Sequence, residues 1–189
     1  MQRSSSGSRV RRAAGLAIAL LFAPVLAVVA FAGHQGASLS DARAATAKFH
    51  ELDTANGAGY SVKVADLAGI TCIESSAGTM GVHYLNASLA QELFDPTAVP
   101  SVNAETPELL VYEPVSNGKS RLVALEYLTL KGRWDATHGS PPSLFGQTFN
   151  TTDAGNRYGL PAFYSLHAWI WKNNPADIFA PYNTKVSCP

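Results

Sequence analysis

The chain has 189 residues, is 47% hydrophobic and 15% charged, and balances 14 basic against 14 acidic side chains. That balance leaves no basic excess, and the charge after loss of the N-terminal segment argues against nucleic acid or an anionic membrane surface as partner, because both call for a basic face. Four of the basic residues lie in the first 32 positions. Loss of that segment would leave 10 basic against 14 acidic groups, a charge of about −4.

The N-terminal segment reads as an export signal. Arg3, Arg9, Arg11 and Arg12 precede an apolar run from Ala13 to Ala32, and no acidic residue occurs before Asp41. Ala30-Phe31-Ala32 has the small-x-small form of a signal-peptidase site. The run of roughly 20 residues is also long enough for a retained anchor, but Pro24 in its middle and the cleavage pattern favour removal. Arg11-Arg12 is a poor twin-arginine match, and no cysteine near the cleavage point suggests a lipoprotein. The expected layout is a signal peptide over residues 1–32, a flexible lead over 33–39 and a single domain over 40–189. The expected location is secreted or in the cell envelope, with no stable membrane span after cleavage. Oligomeric state is left open.

Ser40 is the expected N-cap of a helix running from Asp41 to about Asn56. Ala42, Ala45, Phe49 and Leu52 recur there at helical spacing, and Asn56-Gly57 is a stop signal. After Gly59 the period becomes two. Tyr60, Val62 and Val64 mark a first strand, Ile70 to Ile73 a second, and Met80 to Leu85 a third, with a helical turn over Ser88 to Leu93. Leu109 to Val115 and Arg121 to Leu130 flank Ser116-Asn117-Gly118-Lys119, a strong hairpin signal. Residues 131–161 read as irregular, and Phe163 to Lys172 as the last strand. Hairpin pairing without recurrent helices between strands predicts an α+β fold. An N-terminal helix would precede a predominantly antiparallel sheet, curved or partly closed.

Cys72 and Cys188 are the only cysteines. In an oxidising compartment they are expected to pair. A metal pair or free thiols are the alternatives.

Four ionisable residues interrupt apolar strand patterns: His83, Glu113, Glu126 and His167. Glu126 shares strand parity with Leu122, Ala124, Leu128 and Leu130. A carboxylate on such a row is costly unless it is paired, protonated, hydrogen-bonded or metal-bound. Two His and two Glu on inward faces are a plausible ligand set for a divalent metal ion: Zn, Mn or Fe. The competing readings are a structural His–Glu pair and plain surface positions. Trp134, Tyr158 and Trp169 are candidates for stacking on a small ligand. They give a rival class, a non-catalytic carbohydrate- or partner-binding module, although aromatics at strand spacing more often pack in a core. Asp135, His138, Ser140 and Ser143 crowd one proline-rich loop, a poor setting for a catalytic triad. Asn86-Ala87-Ser88 and Asn150-Thr151-Thr152 match the glycosylation pattern. No catalytic residue is assigned.

Four runs carry a resemblance: Met80 to Tyr84, Leu110 to Pro114, Ser140 to Gln147, and Leu166-His167-Ala168-Trp169-Ile170-Trp171-Lys172-Asn173-Asn174-Pro175. Together they resemble a group of exported, uncharacterised, mostly bacterial proteins. The likeness covers nearly all of residues 41–188. The chain departs from the group's pattern at Asn173, often His, at Ala176-Asp177, often with a Gly, and at Tyr182, often Trp. The resemblance implies export and a shared fold, and no activity.

Overall fold

Helix α1 (Leu39–Thr46) is the first described element of the chain. The computed structural model describes residues 1–2 and 38–189, so the expected signal peptide and most of the flexible lead fall outside it. Ser38 is the N-cap in place of Ser40: its side chain accepts from the Asp41 amide at 3.1 Å and donates to the Asp41 carboxylate at 2.6 Å. The expected single helix is broken. A 3-10 turn spans Ala47–His50, Glu51 adopts extended backbone, and α2 (Leu52–Gly57) follows. Among the described residues no helix is long and apolar enough to cross a membrane.

Strands β1 (Tyr60–Lys63), β2 (Cys72–Ser75) and β3 (Gly78–Asn86) come next, then α3 (Ala87–Phe94). The Asn86 side chain caps α3 by accepting from the Ser88 and Leu89 amides, which assigns a structural task to one glycosylation match. Strands β4 (Leu109–Pro114) and β5 (Ser120–Leu130) form the expected hairpin. Asn117 and Gly118 both have positive φ, 67° and 70°, as a tight Asn-Gly turn requires. The stretch expected to be irregular holds α4 (Lys131–Asp135), a small ladder of β6 (Ser143–Leu144) with β7 (Gln147–Thr148), and β8 (Asn150–Thr152). Strand β9 (Phe163–Ala168) ends earlier than expected, because Trp169 donates its amide to Ile178 and Ile170 turns back to Ala168.

Seven strands form one antiparallel sheet in the order β1-β3-β4-β5-β9-β8, with β2 beside β1 on the same edge of β3. Fold class is therefore α+β, with helices preceding the sheet. The predominantly antiparallel sheet is as expected, but it is open, with β8 at one edge and β1 and β2 at the other, so the expected curvature or partial closure is corrected. Short hydrogen-bonded ladders of this kind leave two free edges unless strand tilt and register bring the ends together.

Alternation along the strands makes two different faces. Tyr84, Leu110, Tyr112, Leu125, Tyr127, Tyr164 and Leu166 pack with Ala42, Phe49 and Ala55 of the helical segment. Two buried tyrosines on this face donate their hydroxyls to backbone carbonyls, Tyr112 to Phe49 at 2.6 Å and Tyr127 to Ala104 at 2.7 Å. The opposite face carries Leu109, Leu128, Leu130 and Phe163 together with Val111, Ala124 and Trp169. It is covered by Leu93 of α3, by Tyr158 and Leu160, and by Ile178 and Val186 of the C-terminal tail. The tail is fixed by paired hydrogen bonds between Thr79 and Asn183, at 3.2 and 3.0 Å, and by the Cys72–Cys188 disulfide, Cα–Cα 5.8 Å.

Candidate metal centre

The second face gathers ionisable groups that are far apart in sequence. Glu126 on β5 lies directly opposite His167 on β9. His83 on β3 is paired with Val111, which in turn pairs with Ala124. His83 Nε2 stands 3.3 Å from His167 Nε2 and 3.4 Å from Glu126 Oε2, and His167 Nδ1 is 3.7 Å from Glu126 Oε1. All three residues are buried. This group can hold a metal ion: one donor atom from each residue lies within 4.8 Å of the others.

Burial governs the protonation of the group. It lowers both imidazoles from the usual value, His83 to about 4 and His167 to about 4, and for His83 the Glu126 charge only partly offsets this. Neutral imidazole is the form that binds metal. Burial also pushes Glu126 up, against the opposing pull of His83 and of a hydrogen bond from Ser165. A divalent cation would reverse that upward push, since its charge becomes the largest in the site. The Gly81 backbone beside the His83 ring favours its charged form, an effect smaller than that of burial.

The fourth expected ligand is elsewhere. Glu113 lies on the same face of β4 but four residues beyond Leu109, the partner of Glu126, which is roughly 13 Å along a strand. Both its oxygens are taken by Lys172 Nζ, at 2.6 and 2.7 Å, with Arg121 at 3.8 Å. The nearly closed environment of this carboxylate explains the pairing, since a buried unpaired charge is costly.

The expected stacking residues are dispersed. Trp134 is buried against the helix-side core, stacked on His138 at 3.8 Å, with its indole N–H donated to the Ser140 carbonyl. Trp169 is buried too, 6.0 Å from the His167 ring and nearly parallel to it, and donates Nε1–H to Ala180. Trp171, beyond the end of β9, turns to the helix-side core and meets His50 and Arg43. Neither Trp134 nor Trp169 offers a free ring face. Tyr158 differs: it lines a cavity of about 290 Å³ onto which His83 and Glu126 also open. In the 134–143 loop, Asp135 bonds Lys131 and Tyr164 while His138 lies on Trp134, so these groups do not converge as a triad.

Two supporting residues were not singled out from sequence. Ser165 shares strand parity with His167, a signal that was present. Gly81 sits two residues before His83 with φ 104°, and a glycine inside a strand pattern marks a bulge or a close backbone approach.

Compared with known proteins, the chain matches no family model, no curated protein and no solved structure.

Proposed function

We propose that the protein binds one divalent transition-metal ion, zinc in the first instance, through His83 Nε2, His167 Nε2 and a Glu126 oxygen. The carrying observation is the pair of donor separations, 3.3 and 3.4 Å. Donors at roughly 2.0–2.1 Å from a tetrahedral zinc stand about 3.3 Å apart. Two histidines and one carboxylate also form the ligand set of open, reactive metal sites, in which a further position takes water or a ligand. Such a position would face the cavity, because His83 and Glu126 both line it. The disulfide fits the exported location read from the sequence, since such bonds persist in oxidising compartments.

Elemental analysis of the exported protein, purified without chelators, tests this directly. About one equivalent of Zn, Mn or Fe is expected, removed by a chelator and restored by the ion. His83→Ala and His167→Ala should each lower zinc affinity by at least a hundredfold while the disulfide still forms. Protein that contains no metal and takes up none of the three ions would leave the group as a hydrogen-bonded polar cluster only.

A further inference from the structure

His83 and Glu126 form the polar part of a cavity whose remaining walls are almost wholly apolar. Leu109 and Leu128 come from the sheet, Phe163 from β9, Leu93 from α3, and Tyr158 and Leu160 from the loop before β9. Val62 and Phe94 also line it, yet they are 45% and 54% exposed. Large apolar side chains left open beside an apolar cavity are a feature of ligand sites. Beyond His83 and Glu126, Lys63 is the one basic side chain in the lining, and it carries its ammonium 5.6 Å over the ring of Tyr84, a residue of the opposite core; the other ionisable wall residue is the Tyr158 phenol, which burial holds in its neutral form.

Charge indicates what kind of head group belongs there. A divalent ion held by two neutral imidazoles and one carboxylate keeps a net charge of +1. Buried charge without a partner is costly, and the apolar walls supply no second anion. A ligand with one anionic oxygen head would neutralise the ion, while an aliphatic body would match the walls. At about 30 Å³ for a water-sized group, the volume accommodates about ten such groups, enough for one chain and too few for a two-chain lipid.

We propose that this cavity binds a single aliphatic chain of about six to ten carbons ending in a carboxylate. The head ligates the ion at His83, Glu126 and His167, and the chain runs along Leu109, Leu128 and Phe163. The proposal rests on the metal reading above. Calorimetric titration of the zinc-loaded exported protein with acetate, butanoate and octanoate tests it. Affinity is expected to rise about fourfold per added methylene, and octanoate to bind at least tenfold more weakly to metal-free protein. Leu160→Trp, at a half-buried loop position in the wall, should weaken octanoate at least tenfold with zinc stoichiometry unchanged. Octanoate binding no tighter than acetate to zinc-loaded protein would overturn the ligand and leave the metal reading intact. Equal octanoate affinity with and without zinc, or its loss in Lys63→Ala, would put the head elsewhere and overturn the proposal. Absence of zinc uptake, read before any alkanoate is added, would end both readings together.

Discussion

At the scale of single residues, burial on the two sheet faces draws opposite responses, the histidines of the buried group lying on the second face. There His83 and His167 are held neutral, whereas Glu108, just before β4 and in strand parity with Leu110 and Tyr112 of the helix-side face, is held protonated. Burial raises Glu108 from its ordinary value to about 8, with the Leu128 amide donated to its carboxyl at 2.9 Å as the chief opposing effect. A group with a raised folded pKa stabilises fully below its unfolded value, and that contribution is lost as pH rises through the folded one. For Glu108 the window runs from about 4.5 to about 8. Glu108→Gln keeps an acceptor for Leu128 and removes the titration. Its thermal midpoint should match the wild type near pH 5 and exceed it at pH 8; an equal difference at both values would count against a buried proton. Ser165 is a different case, since its hydroxyl supports Glu126 without being a ligand. Ser165→Ala should lower zinc affinity by roughly 10-fold, the smaller end for outer-shell partners, with an unchanged far-ultraviolet spectrum. Unaltered affinity would mean that Glu126 is positioned by the sheet alone. The three residues of the buried group were legible because an ionisable residue on an apolar strand row is conspicuous. Glu113 misled for the same reason, and its partner Lys172 was hidden because it sits 59 residues away beyond the end of β9.

At the scale of elements, β3 organises the site. Its edge partner changes from β2 to β1 along its length, and the register with β2 slips between Ile73 and Glu74, so that Met80 is left unpaired. Gly81 follows this bulge with φ 104°, and a Cβ there would meet the Tyr112 carbonyl at 2.7 Å. Gly81→Ala therefore combines backbone strain with a clash against backbone that has no room to retreat. The expected cost is about 1–3 kcal/mol, measured by urea unfolding, together with weaker zinc binding because a backbone shift two residues before His83 displaces its ring. A loss of zinc affinity without loss of stability would separate the two effects and contradict the strain argument. Periodicity identified β1, β3, β4, β5 and β9, whose apolar alternation is long enough to read. It missed β6, β7 and β8, which have two or three residues each and form only because neighbours offer them partners. It also overextended β9: Trp169 and Trp171 continue the alternation in sequence, while the backbone leaves the sheet at Ala168 to meet Ile178.

At the scale of the whole molecule, strand order and the placing of the C-terminal tail depend on contacts between distant residues, which local patterns do not encode. The α+β class followed from one hairpin and one helical stretch, whereas the open sheet edge did not, since closure is a matter of tilt and register. The tail shows how long-range ties accumulate. Its polar composition suggests a segment that frays unless bonded through Cys188, yet Asn183 pairs with Thr79 and Val186 is buried beside Trp169. The disulfide therefore adds to anchors that already hold the tail, and its effect lies mainly in the unfolded chain. Closing a loop across 116 positions restricts that chain by about 4–5 kcal/mol, an upper figure because native strain subtracts from it. Cys188→Ser should lower the thermal midpoint by roughly 10 °C for a domain of this size. The freed segment should be short, confined to residues after Val186, and visible as fast amide exchange there alone. Fast exchange reaching back to Asn183 would mean that the bridge, and not the Thr79 pairing, holds the tail. Intact mass of the unreduced protein should be two hydrogens below that of the reduced form, and two free thiols in freshly exported protein would remove the basis of the prediction.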